Sequence, residues 1–128
     1  MSDAEVAEAV LQANRAFYEA FEARDFDAMS DLWEHHDDVV CTHPGWQSLR
    51  GWGAVGGSWM ALLANAQRLQ FIVTNEAAGV RGPVAWVTCD ENLLDGAASG
   101  TVAALNVFAR SDDGQWRIVA HHGSGVAG

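Results

Sequence analysis

Five histidines, two cysteines and an adjacent pair of acids in an apolar run are the side chains of this sequence with the most chemistry to offer. His43 ends an apolar, β-branched run and stands directly before Pro44. A neutral imidazole, with an ordinary pKa of about 6.5, can take a proton near neutral pH. It can equally hydrogen-bond a backbone carbonyl and do no more than turn the chain. His121 and His122 are neighbours near the other end; in a strand, alternation sends one inward and the other outward. Asp90 and Glu91 pose the same choice. A carboxylate facing an apolar interior has its pKa raised and can serve as acid or base, whereas one at a strand end is simply solvated. Trp46, Trp59 and Trp86, from a set of six tryptophans, are the candidates for an aromatic pocket wall suited to a planar apolar ligand, with core packing as the alternative.

Other chemistries find less support. Cys41 and Cys89 each lie in apolar, β-branched surroundings, and neither belongs to a CxxC. Buried free thiols are expected, not zinc ligands. No histidines recur at His-x-x-x-His spacing, so neither a metal nor another cofactor is expected. The sequence has 17 acids against 7 arginines, with no lysine, and a formal net charge of −10. That balance speaks against nucleic acid, whose phosphates need a basic footprint, and against anionic membrane surfaces. Eleven of the acids fall between Asp3 and Asp38, which reads as a solvated helical face or, less simply, as selection for a cationic ligand. With neither an N-terminal signal pattern nor a long apolar window, a cytoplasmic protein is expected.

The elements that must position these groups can be read in order. At 128 residues, one domain covering 1–128 with one core is expected. Ser2-Asp3-Ala4-Glu5 has the form of a capping box. Val6, Val10, Ala13, Phe17 and Phe21 then form one apolar stripe of a helix running to about Arg24. Leu11, Asn14 and Tyr18 lie on a neighbouring stripe, which puts Tyr18 at the edge of the buried face. Asp25 can cap a short second helix with Phe26, Met29, Leu32 and Trp33 inward. A short strand over 39–42 ends at His43-Pro44-Gly45. The spacing of Trp52, Val55, Trp59 and Leu62 predicts a third helix from about Gly51 to Ala66. Gly51, Gly53, Gly56 and Gly57 crowd its first two turns, at about 1 kcal/mol each relative to alanine. Close packing against the sheet would account for them, and a loosely held lid is the alternative.

From Leu69 the period becomes two, predicting strands near 69–80, 83–94, 101–110 and 115–123. Arg81-Gly82-Pro83, Asp95-Gly96-Ala97 and Asp112-Asp113-Gly114 punctuate them. Short turns make the neighbours antiparallel. Helices followed by a strand meander give an α+β class, with the helices on one face of a mainly antiparallel sheet.

This order of elements resembles the nuclear transport factor 2-like superfamily, which includes ketosteroid isomerases, SnoaL-like polyketide cyclases and the association domain of calcium/calmodulin-dependent kinase. Phe17-Tyr18-Glu19-Ala20-Phe21 through Arg24-Asp25-Phe26-Asp27 is similar to the family's end of helix one. Val40-Cys41-Thr42-His43-Pro44-Gly45 and Leu49-Arg50-Gly51 are similar to its first strand and the entry to helix three. Asp113-Gly114-Gln115-Trp116-Arg117-Ile118-Val119, with His122-Gly123-Ser124-Gly125, is similar to its terminal hairpin.

The resemblance implies a strongly curved, cone-shaped, cystatin-like α+β barrel around helix one, open at one end to a small apolar molecule, and a homodimer through the outer sheet face. It aligns His43-Pro44 with the isomerases' Asp-Pro, whose aspartate moves the proton. It aligns Asn106 with a residue that helps bind the enolate oxygen, where an amide NH2 can donate without pKa tuning. It sets His122 at a histidine recurring in the final strand, so His43, Asn106 and His122 become the candidate catalytic residues. Tyr18, Trp46, Trp59, Trp86, Asp90 and His121 are the candidate ligand contacts. The isomerases' tyrosine falls on Phe17 here, which counts against their mechanism as it stands. The implied function is a SnoaL-like small-molecule binder, or an isomerase/cyclase-type enzyme acting by acid–base chemistry on an apolar carbonyl compound. A non-catalytic association module is the alternative.

Overall fold

The computed structural model describes residues 1–65, 70–95 and 98–127, with the side chains at 95, 98 and 99 left aside. The expected strand start at 69, the end of helix three at Ala66 and the Gly96-Ala97 turn lie outside them.

Helix α1 runs over Asp3–Ala23, and its capping box forms as expected: Ser2 Oγ accepts from the Glu5 backbone N–H while Glu5 reaches back to the Ser2 N–H. Arg24 ends it in the left-handed conformation (φ 55°). Asp25 caps α2 (Phe26–Asp31), its carboxylate accepting from the Ala28 N–H. Strand β1 (Val40–Thr42) leads to the two-residue strand β2 (Leu49–Arg50), which sequence periodicity is too short to announce. Helix α3 covers Trp52–Ala64. Strands β3 (Phe71–Arg81), β4 (Val84–Asp95), β5 (Ala98–Arg110) and β6 (Trp116–Gly125) complete the chain.

The six strands make one open sheet in the order β2-β1-β6-β5-β4-β3. All pairs are antiparallel except β1 with β6, which run parallel with Cys41 opposite His121. The sheet curves about α1, which packs on β3, β4 and β6, without closing into a barrel; β2 and β3 remain its edges. Two bulges bend it. One lies in β3 at Asn75 (φ 59°), between Thr74 and Ala77, and the other in β6 at Val119, opposite Val107 and Phe108.

The core lies between α1 and the concave face. Val10, Phe17, Trp33, Val55, Trp59, Val87, Phe108 and Ile118 are fully enclosed there. Phe17 stands edge-on to Tyr18, Phe21 and Trp59, the T-shaped geometry that ring quadrupoles favour. Both Phe17 and Tyr18 are buried, because the sheet wraps more than one face of α1; Tyr18 is therefore interior and not at the edge of the buried face.

The glycines of α3 have a different explanation from the expected one. Gly51 is the N-cap at φ 83°, and a Cβ on Gly56 would lie 2.9 Å from the ring of Trp52 in the same helix. Gly53 and Gly57 face open space. Close packing is against Trp52 and not against the sheet.

Candidate functional site

A pocket of about 200 Å³ opens at one end of the concave face. Phe21 of α1, Leu62 of α3, and Phe71, Leu93 and Val102 of the sheet supply its apolar wall. Pro44 and the half-exposed Trp46 stand beside it on the β1–β2 connection. Three polar side chains converge on this apolar space: His43, Glu91 and His121. Each is 5% exposed or less, so their protonation is governed by burial.

His43 follows β1, where its carbonyl accepts from the Trp46 N–H and closes the turn that Pro44 starts. Its Nε2 is 2.9 Å from Ser58 Oγ. The Ser58 hydroxyl donates to the Val55 carbonyl at 2.7 Å, so it must accept from His43. Nε2 therefore carries the hydrogen and Nδ1 keeps the lone pair. Burial pushes the His43 pKa down to about 4, leaving the ring neutral at physiological pH. Trp59, fully enclosed, stands edge-on to it with ring centroids 4.8 Å apart.

His121 comes from β6, with its ring 6.3 Å from that of His43. Its Nδ1 lies 2.5 Å from Asn106 Oδ1, while Asn106 Nδ2 donates to Asn14 Oδ1 at 2.8 Å. Asn106 thus presents its carbonyl to the ring, so Nδ1 carries the hydrogen and Nε2 is the acceptor. Burial, with the nearby His43 and His122, holds the His121 pKa down near 3.

Glu91 of β4 accepts from the Tyr18 hydroxyl at 2.6 Å. Burial raises its pKa, a push that the Tyr18 hydrogen bond only partly offsets. The Tyr18 pKa is itself raised, by burial first and then by Glu91 and Cys89, so the phenol stays protonated as a donor. The pocket therefore holds two neutral imidazoles, each with one lone pair, and a carboxyl that retains its proton above the usual carboxylate range. Such a set can accept a proton at one point and deliver one at another.

Not every expected site residue arrives here. His122 is exposed on the convex face, and its neighbour His121 takes the interior position. Asp90 is also on the convex face, near Asn75, in a groove with Leu105 and His122. Trp86 is there too, packed over Gly79 with the Arg81 guanidinium 6.0 Å from its ring centre. Strand alternation separates these three from the pocket by the thickness of the sheet. Asn106 is fully buried behind His121, Tyr18 holds Glu91 from behind, and Trp59 backs His43. Of the expected set, His43, Trp46 and His121 line the pocket.

Glu91, weighed with Asp90 as the inward carboxylate, is the one of the pair that faces the pocket, whereas Ser58 and Asn14 are polar residues to which sequence reasoning gave no part in the site. Ser58 and Asn14 carried a signal, since each interrupts the apolar face of its helix and is buried. Cys41 and Cys89 are buried free thiols, as expected, and burial drives the Cys41 pKa up to about 12. No helix among the described residues is long and apolar enough to cross a membrane.

Comparison with known proteins agrees with this architecture. No curated protein matches the chain. A solved structure similar to it is a candidate dehydratase of the NTF2-like family from Streptomyces avermitilis: 40% identity, 99% of this chain and 100% of that one covered, TM-score 0.91. A candidate calcium/calmodulin-dependent protein kinase type II association domain from Thiobacillus denitrificans is 34% identical over 90% of this chain and 93% of that one, with a TM-score of 0.81. A candidate ketosteroid isomerase from Parabacteroides distasonis is 19% identical, covering 94% and 88% with a TM-score of 0.77, a likeness of fold alone. The family model described as the SnoaL-like domain matches residues 10–128, and the chain accordingly belongs to the SnoaL-like domain family, within the NTF2-like fold.

Proposed function

We propose that the concave pocket binds a small, largely apolar carbonyl compound and eliminates water from it by acid–base chemistry. The observation that carries this reading is the convergence of His43, His121 and Glu91 on one apolar pocket, with neutral imidazoles beside a carboxyl of raised pKa. The candidate dehydratase at 40% identity lends it support.

In this reading the substrate is a β-hydroxy carbonyl compound. His43 is the base: its Nδ1 lone pair takes the proton next to the carbonyl. The C–H electrons form the carbon–carbon double bond as the C–O bond breaks, and the Glu91 carboxyl proton goes to the departing oxygen, releasing water. The imidazolium and carboxylate left behind are reset by one proton returning from His43 to Glu91. Positioned proton transfer of this kind contributes about 10²–10⁴-fold. His121 Nε2 accepts a hydrogen bond from the substrate hydroxyl and fixes where it lies. Asn106 and Tyr18 act through His121 and Glu91. At about 200 Å³ the cavity is below the range usual for drug-sized ligands, which favours a single ring or a short chain over a steroid.

A panel of single-ring and short-chain β-hydroxy ketones, followed by absorbance of the conjugated product, tests the reading. Turnover that His43→Ala lowers by about 10²–10⁴-fold while ligand affinity persists is the expected result. Binding without turnover in the wild-type protein would leave a ligand carrier in place of an enzyme.

A second reading concerns assembly. Ile72, Val84, Leu94 and Leu105 are exposed apolar side chains on β3, β4 and β5, and the match to a candidate association domain is 34% identical. We propose a homodimer through the outer sheet face, which light scattering measures directly; an assembly well above a dimer would favour an association role.

A further inference from the structure

Asn106 contacts His121 through its carbonyl oxygen, and what holds the amide in that sense lies further back. The strand β3 directs Phe71 and Val73 inward and Ile72 and Thr74 outward. The bulge at Asn75 then inserts one extra residue, so Glu76 returns to the concave side and faces α1. Its carboxylate lies 3.4 Å from Asn14 Nδ2 and 3.5 Å from the Arg15 guanidinium, and its side chain keeps about 20% exposure.

A carboxylate can only accept, whereas an asparagine amide donates from one end and accepts at the other. Glu76 therefore draws Asn14 Nδ2 toward itself and turns Asn14 Oδ1 toward Asn106. Asn106 must answer with Nδ2, which turns its Oδ1 toward His121. His121 must then place its hydrogen on Nδ1. Tyr18 acts in the same sense: its hydroxyl donates to Glu91, so it can only accept from Asn106 Nδ2, 3.4 Å away. Each link has one satisfied orientation, and reversing any of them sets two donors or two acceptors against each other in a buried space.

We infer that Glu76 is a positioning residue that sets the tautomer of His121 through the chain Glu76–Asn14–Asn106–His121, making Nε2 a hydrogen-bond acceptor toward the pocket. A pocket acceptor at this point selects a ligand that presents a donor there, a hydroxyl, over one that presents only a carbonyl. This selectivity rests on the elimination reading above; the tautomer itself does not.

Histidine-ring ¹⁵N NMR on the full, ligand-free chain tests the inference, with the His121 signals assigned by their loss in His121→Gln. The expected result is a single Nδ1–H form in the wild type. Glu76→Lys replaces the acceptor by a donor and should convert His121 toward the Nε2–H form. If that variant does not fold, the isosteric Glu76→Gln decides. Its amide can point either way, so the Nε2–H population should rise roughly tenfold, the difference between a charged and a neutral acceptor. A wild-type Nε2–H form, or an unchanged tautomer in the folded Glu76 variant, would overturn the inference. Because no substrate is present, a failed turnover screen with the predicted tautomers would sink the reaction and leave the chain of hydrogen bonds standing.

Discussion

Glu91 and Asp90 are neighbours on one strand, as are His121 and His122 on another, yet each pair is divided between the two faces of the sheet. The concave partners are enclosed: Glu91 holds its proton above the usual carboxylate range, and His121 resists protonation down to about pH 3. The convex partners, Asp90 and His122, lie beside exposed apolar side chains in a shallow groove. The same functional groups one residue apart thus meet different dielectrics, and burial gives the concave pair the shifted proton affinities that acid–base work requires. On the convex face the more telling residues are Ile72 and Leu105, exposed apolar side chains on which the proposed dimer rests.

The comparison is sharpest for Glu91. Glu91→Gln should cut turnover by about 10²–10⁴-fold, whereas Asp90→Asn should change it by no more than roughly twofold. Equal losses in steady-state kinetics would erase the distinction between the faces. Next in size is acid stability. His43 and His121 titrate near 4 and 3 when folded and near 6.5 when unfolded. Below pH 6.5 the unfolded chain therefore binds protons that the folded chain refuses, and stability falls as pH drops from about 6.5 toward 4. Glu91 opposes this between its unfolded value and its raised folded one, where the folded chain holds the extra proton. The two histidines outweigh it, so Tm should fall by roughly 5 °C or more over that interval, and His43→Gln should flatten the slope in scanning calorimetry. The smallest effect belongs to the convex face. Leu105→Asp should weaken dimerisation about tenfold or more by sedimentation, with kcat unchanged; lost turnover without altered association would move Leu105 into the site.

Much of the fold is written locally. The capping box at Ser2, the Asp25 cap and the Gly82-Pro83 turn all depend on neighbouring residues, and the long strands announce themselves by alternation. The site was harder, because face assignment depends on register. From Trp116 and Ile118, both inward, a strict period of two carries on to His122. The bulge at Val119 adds a residue and hands the interior to His121. Nothing in the local sequence marks that bulge; it arises in the pairing with β5. In β4 no bulge intervenes, but apolar residues occur at both parities, so the choice between Asp90 and Glu91 had no sequence signal to settle it. The roles of Asn106 and Tyr18 as supports were equally hidden, since they follow from donors and acceptors distant in the chain.

The parallel pairing of β1 with β6 has a consequence for the order of events during synthesis. His43 follows a strand whose neighbours are β2 and the segment Trp116–Gly125, and the turn after α2 is tied to that same segment, Glu34 N–H to the Ile118 carbonyl and Ile118 N–H to the Leu32 carbonyl. While a ribosome is still adding residues before Trp116, α1 and the β3–β4 hairpin can form, but the two imidazoles cannot meet. Such distant pairings close slowly, after local structure has formed. The pocket is thus among the last parts of the molecule to exist, and a nascent chain halted before β6 lacks the imidazole of His121 that completes it.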